Sequence, residues 1–204
     1  DNDLGPNTGG MGAYSPTNLY DKELENKIRK RIIEPTLHAM VDKKSPYTGF
    51  LYFGIMLVNG EPYVIEYNVR MGDPETQVVM PIMKSSLFDL IDSTLDNRLE
   101  SFKYKNKSGY CVTVVLASDG YPSNYEKGNI IKGLDNLDND LVFHAGTSLD
   151  SNGKFVTSGG RVLNAIGLGT DLKLAIQDAY RVVDKIKFKN IYYRKDIAKK
   201  GLDY

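Results

Sequence analysis

The run Val64-Ile65-Glu66-Tyr67-Asn68-Val69-Arg70 carries a carboxylate, an amide and a guanidinium at every second position. In an extended strand, side-chain direction repeats every two residues, so all three would project from one face, neighbours about 7 Å apart. A carboxylate and an amide oxygen at that spacing can lean onto one hard cation. Mg²⁺ takes one or two oxygens from protein and the rest from water and substrate phosphates, so Glu66 and Asn68 form a sufficient pair. Arg70 adds a planar fork suited to phosphate or carboxylate oxygens. The solvent-facing side of an edge strand uses the same residue types, so spacing alone leaves both readings open.

Two loops carry related chemistry. The opening stretch LGPNTGGMGAYSP has glycines at positions 5, 9, 10 and 12, with Asn7 and Thr8 between them. Backbone N–H groups in such a loop can converge on an anion. It matches neither GxGxxG nor a P-loop, which would need a lysine, and a long connecting turn explains it equally. The segment Gly72-Asp73-Pro74-Glu75-Thr76-Gln77 follows Arg70. Asp73 can cap a turn, Pro74 pre-sets the backbone, and a helix starting at Thr76 or Gln77 offers an anion-favouring N-terminus; a plain loop-to-helix junction has the same composition. His38 and His144 belong to no clustered His/Cys spacing, which argues against zinc, and His144 reads as a packed strand-end histidine. Ser158-Gly159-Gly160-Arg161 is either an anion-facing turn or ordinary hairpin chemistry.

The elements that must hold these residues are legible in outline. A helical stripe from about Asp21 to Val41 is interrupted at Pro35, which predicts a kink or two helices. Two strand-like runs, FLYFGIMLV and EPYVIEYNV, flank Asn59-Gly60, a dipeptide suited to a type I′ hairpin. The first is nearly all apolar, as for a strand covered on both faces. The second alternates, with Tyr63, Ile65 and Tyr67 opposed to Val64, Glu66, Asn68 and Arg70. A helical pattern follows from about Gln77 to Leu99. The polar, Lys-rich stretch after it predicts a boundary, giving domains 1–103 and 104–204. Beyond lie a strand (YCVTVVLAS), shorter strands near 128–133 and 141–145, and a strand over VLNAIGLG. Last comes a helix capped by Thr170 or Asp171, with Leu172, Ile176, Ala179, Val183 and Ile186 on one stripe.

Lys plus Arg and Asp plus Glu each number 26 in 204 residues, so net charge is zero. This argues against a general nucleic-acid or membrane-surface binder, which needs a basic excess. The single cysteine, Cys111, lies in an apolar run and reads as a core residue in a reducing compartment. No apolar run reaches about 18 residues and no signal-peptide pattern is present, so a cytoplasmic protein is expected. The chain starts at Asp1 in a loop-like stretch, as expected of a piece of a longer polypeptide.

Three segments together resemble one family. GPNTGGMGAYSP, YTGFLYFGIMLVNG with VIEYNVRMGDPETQ, and the later GYP, YEKG, VFHAGT, TSGGRVL and YRKDI strings are similar to phosphoribosylamine–glycine ligase, from about Leu4 to Ile197. The resemblance implies an α+β chain: the C-terminal part of an ATP-grasp domain, mostly antiparallel sheet with packed helices, followed by a small α+β C-terminal domain. It implies ATP as co-substrate with Mg²⁺ or Mn²⁺, and glycine and 5-phosphoribosylamine joined through an acyl phosphate to give glycinamide ribonucleotide, ADP and phosphate. Glu66 and Asn68 match the family's metal-binding pair, and Arg70 its following arginine, assigned to the transferring phosphoryl group. Asn7, Thr8, Gly9, Gly10, Met11 and Gly12, with Asp73, Pro74 and Glu75, match the region lining the substrate pocket.

Two departures stand out. The strand before Glu66 lacks the extra carboxylate of many ATP-grasp enzymes, so further metal ligands must be water or phosphate oxygens. The family's N-terminal domain and upstream ATP-grasp portion have no counterpart here. Another ATP-grasp carboxylate–amine ligase or a carboxylase would share the Glu-x-Asn-x-Arg strand, though the glycine-rich loop and the VFHAGT and YRKDI strings favour the glycine ligase. A non-catalytic fragment would keep the fold without turnover.

Overall fold

The computed structural model describes residues 1–204. In chain order the elements are β1 (Gly12–Ser15), α1 (Lys22–Ile28), α2 (Glu34–Asp42), β2 (Tyr52–Val58), β3 (Glu61–Asn68), α3 (Thr76–Ile82) and α4 (Leu87–Leu95). They continue with β4 (Tyr110–Ser118), β5 (Val142–His144), β6 (Thr147–Leu149), β7 (Phe155–Thr157), β8 (Arg161–Gly169), α5 (Leu172–Lys185) and β9 (Ile191–Tyr192). One compact unit comprises Asp1–Pro16, Asp73–Ile82 and Lys107–Tyr204; the other comprises Thr17–Gly72 and Met83–Asn106. These units do not follow the expected cut between residues 103 and 104. The opening segment and the start of the expected 77–99 helix pack with the C-terminal half, because β1 pairs with β4 and α3 lies on the same sheet.

In the first unit the sheet runs β1-β4-β8-β5, with β9 also on β4, and every pairing is antiparallel. Cys111 to Ser118 are all buried. On one face Val112, Val114, Leu116, Leu163 and Ala165 meet Ala175, Ala179, Val182 and Val183 of α5. On the other, Cys111 and Ile166 meet Val78 and Ile82 of α3. Cover on both faces explains why β4 reads as a nearly continuous apolar run, broken only by Thr113 before Ser118. Each fully buried aliphatic side chain contributes roughly 1.5–3 kcal/mol, against about 0–1 kcal/mol for an exposed ion pair, so this sandwich holds the unit together. Asp171 caps α5, its carboxylate accepting from the Leu174 N–H at 2.8 Å. The expected opening loop is in part a strand: residues 12–15 supply β4 with a hydrogen-bonding edge partner about a hundred residues away.

In the second unit the helical stretch is two helices joined by a π-helical turn over Arg29–Ile33. Pro35 falls in the first turn of α2, directly after the π-helical turn. The expected helix over 77–99 is likewise two, and Ser86 starts α4 by accepting from the Asp89 N–H at 3.1 Å. The β2–β3 hairpin turns at Asn59 and Gly60 with φ of 52° and 77°, as a type I′ turn requires. Unlike β4, β2 is not covered on both faces: Met56 and Val58 are 52% and 48% exposed. No helix is long and apolar enough to cross a membrane.

Candidate functional site

The hairpin departs from strict alternation at one residue. Ile55 pairs with Val64 and Gly54 with Glu66, leaving Ile65 unpaired. A bulge of one residue inverts side-chain direction beyond it. Val64 therefore stays with Ile55, whereas Glu66 shares the face of Gly54, Met56 and Tyr63. The expected company of Val64 and Glu66 fails for this reason, and Tyr67 leaves the face of Tyr63 to stand edge-on to Phe53 at 5.3 Å between centroids. Glu66 and Asn68 lie beyond the bulge in regular register, so their shared face holds. The Asn68 amide donates from Nδ2 to Glu66 Oε1 at 3.0 Å. Gly54 directly opposite makes room, since a Cβ there would stand 2.8 Å from Glu66 Cγ.

Arg70 is not the third member of that face. β3 ends at Asn68, the chain bends over Val69 and Arg70, and the exposed guanidinium donates from Nη1 to the Met71 carbonyl at 2.8 Å. No cluster of three His, Cys, Asp or Glu side chains is present. A carboxylate and an amide oxygen at this spacing can suit a hard cation whose other ligands are water or phosphate.

The two loops of the first unit meet each other. Gly9 donates its N–H to Tyr121 Oη at 3.2 Å. Gly10 abuts the Pro74 ring so closely that a Cβ would overlap Pro74 Cδ. Met11 is buried against Val115 and Ala117, its carbonyl accepting from the Val115 N–H at 3.1 Å, and Gly12 is the first residue of β1. Asn7, Thr8, Gly10, Asp119, Tyr121 and Arg194 line a cleft of about 800 Å³. Arg194 is fixed there by Asp196 at 3.0 Å and Asp3 at 3.0 Å, and its guanidinium holds the Asp196 carboxyl well below the usual carboxylate range. The Asp73 carboxylate accepts from the Gln77 side chain, Nε2 to Oδ1, at 3.0 Å. Glu75 is half-buried, and its carbonyl accepts from the N–H groups of Val78 and Val79.

Arg161, whose SGGR context leaves two readings open, and Tyr121, which no motif marks, both meet these loops. Arg161 forms a 2.8 Å ion pair with Asp73; the signal available was a charged residue directly after two glycines. His144 stands exposed at the end of β5, where it makes a 2.9 Å hydrogen bond with Thr147 Oγ1 and lies 4.7 Å from the Phe155 ring. Cys111 is fully buried, and burial pushes its thiol up to about 12.

A family model described as "Phosphoribosylglycinamide synthetase, ATP-grasp (A) domain" matches residues 1–76. The urea carboxylase of Kluyveromyces lactis aligns with 91% of this chain and 16% of its own at a TM-score of 0.63. Its 13% identity speaks for the fold alone. The class is therefore ATP-grasp. A second model, "Phosphoribosylglycinamide synthetase, C domain", matches residues 111–200. Phosphoribosylamine–glycine ligase of Fusobacterium nucleatum is 46% identical over 202 residues, covering 96% of this chain and 47% of the relative. The crystal structure of the Thermotoga maritima enzyme of that name aligns at a TM-score of 0.83 and 38% identity, covering 97% of this chain and 49% of its own. The chain belongs to the phosphoribosylglycinamide synthetase family. It spans about half the length of the curated relatives it matches.

Proposed function

We propose that this chain is the C-terminal portion of a cytoplasmic ligase that joins glycine to 5-phosphoribosylamine at the expense of ATP. The observation that carries the reading is the Glu66–Asn68 pair, two positions apart on one face in the regular register beyond the bulge at Ile65, within a chain of this family. Residues 1–103 are read as the ATP-grasp portion and 104–204 as the C-terminal domain. The segments Asp1–Pro16 and Asp73–Ile82 pack with the latter.

A carboxylate is a poor electrophile. Transfer of the ATP γ-phosphoryl group to a glycine oxygen gives an acyl phosphate and ADP. The amine of phosphoribosylamine then attacks the carbonyl carbon, the C–O bond to phosphate breaks, and the nitrogen loses a proton. Positioning and charge neutralisation supply most of the catalysis in such transfers. Glu66 and Asn68 would hold Mg²⁺ or Mn²⁺, which neutralises charge on the nucleotide phosphates when bound. This role requires Asn68 to present its oxygen in place of the N–H that now points at Glu66. Arg70, exposed on its bend, offers donors to the transferring phosphoryl group. The Asn7–Gly12 loop and Asp73–Glu75 are read as the substrate lining.

The test is an assay of the intact natural protein with ATP, glycine and freshly prepared phosphoribosylamine, following ADP and glycinamide ribonucleotide. Formation of both supports the reading. ADP release driven by another carboxylate, with glycine inert, would instead make it a different ATP-grasp ligase. Absence of all turnover would overturn the assignment.

A further inference from the structure

We infer that Arg161 is a positioning residue for the reaction proposed above: its guanidinium clamps the glycine-rich loop to the Asp73 loop and acts on substrate only through them. Nη1 donates to the Gly10 carbonyl at 3.1 Å and to the Asp73 carbonyl at 2.9 Å. Nη2 donates to Asp73 Oδ2 at 2.8 Å. One planar fork thus joins three stretches of chain, 151 and 88 positions apart. A lysine ammonium in its place is a single point charge and cannot span that geometry. With Gln77 on its other oxygen, the Asp73 carboxylate has a donor on each side. It is a relay within the clamp rather than a free base or ligand.

The backbone around Arg161 is built to aim it. In β8, Leu163 pairs with Leu116 but Arg161 pairs with Ala117, leaving Val162 unpaired. Strict alternation would send Arg161 to the side of Leu163, into the α5 core. The bulge turns it instead to the side of Ala117, where Met11 and Tyr121 pack. Below it, the Arg161 carbonyl accepts from the Gly146 N–H at 2.9 Å, and the Gly146 carbonyl accepts from Ser158 and Gly159 at 2.8 and 3.2 Å. The Gly160 carbonyl accepts from the Ser118 N–H at 2.8 Å, and the Gly159 carbonyl from Ser118 Oγ at 3.1 Å. The VFHAGT and SGGR strings, which carry no substrate contact in the proposed function, are accounted for as one knot that fixes this guanidinium. Its side chain is 22% exposed, and Gly9 packs so close that a Cβ would stand 3.2 Å from Arg161 Cζ.

The experiment uses the intact natural protein with Arg161→Met, Arg161→Lys and Asp73→Asn, and the double variant Arg161→Met/Asp73→Asn. Arg161→Met is expected to lower kcat/KM for glycine roughly 10–100-fold, the scale of an ångström misplacement, with the KM for ATP within about twofold. Arg161→Lys should recover little, and added guanidinium should restore part of the Arg161→Met activity. The double variant should be no worse than Arg161→Met alone, because both break one clamp. Amide hydrogen exchange at Gly9 and Gly10 should quicken in Arg161→Met relative to wild type; that comparison needs no turnover and stands even if wild type proves to use another substrate. Multiplicative losses in the double variant, full activity in Arg161→Met, or unchanged exchange at Gly9 and Gly10 would each overturn the clamp.

Discussion

The Asn68 side chain donates to Glu66 Oε1 across 3.0 Å, tying together the two oxygen-bearing groups of one strand face. Glu66→Gln keeps the shape and removes the charge. In the intact protein it should weaken metal–nucleotide binding at least about tenfold and lower turnover with it, while circular dichroism and the thermal midpoint stay near wild type. Unaltered magnesium dependence of the variant's turnover would count against the site.

Gly10→Ala puts a methyl group into the space of the Pro74 ring. Overpacking of this kind costs about 1–3 kcal/mol. The expected outcome is a folded protein with a lowered urea midpoint and a raised KM for glycine. A variant equal to wild type in both would show that the two loops do not need their close approach.

Asp140 lies 2.6 Å from Arg181 and 2.7 Å from Lys185, with 9% of its side chain exposed. Chiefly through the hydrogen bond from Arg181, then that from Lys185, its carboxyl sits below the usual carboxylate value. A depressed folded-state pKa gives stability that is present above the unfolded value of about 3.9 and is lost as pH falls through the folded one. Since Arg181 is half exposed, the contribution at neutral pH is about 1 kcal/mol. Urea midpoints of wild type and Asp140→Asn should differ at pH 7 and converge below about pH 4; a gap that ignores pH would exclude this ion pair as its source.

The Cys111 thiol is buried and its pKa is pushed up to about 12. A thiol needs its thiolate to react. At pH 8 a disulfide reagent should leave the native protein unlabelled and modify one thiol per chain in denaturant. Rapid stoichiometric labelling of the native protein would contradict this packing.

How much of this was legible follows the range of the interactions. The Asn59-Gly60 turn, the Asp171 cap and the apolar run of β4 are decided within a few residues, and the sequence reading finds them. Pro35 announces an interruption for the same reason. The bulges at Ile65 and Val162 do not announce themselves, because each is a choice of register with a partner strand. They nevertheless decide where Glu66 and Arg161 point. Arg70 looks like strand in the sequence because alternation continues through Val69, whereas the backbone bends there. The 12–15 strand was hidden by its glycine-rich company, and its partner lies about a hundred residues downstream. Arg161 stayed undecided because its partners at Gly10 and Asp73 are 151 and 88 positions away.

The pairing of β1 with β4 also sets an order of events as the chain is made. Gly12–Ser15 leave the ribosome long before Cys111–Val114 exist to receive them, and α3 waits equally for Cys111 and Ile166. Closing such long loops is entropically costly and slow. Until β4 and then β8 emerge, the apolar face of α3 is only partly covered, and this nascent stage is where the protein most needs shielding from aggregation.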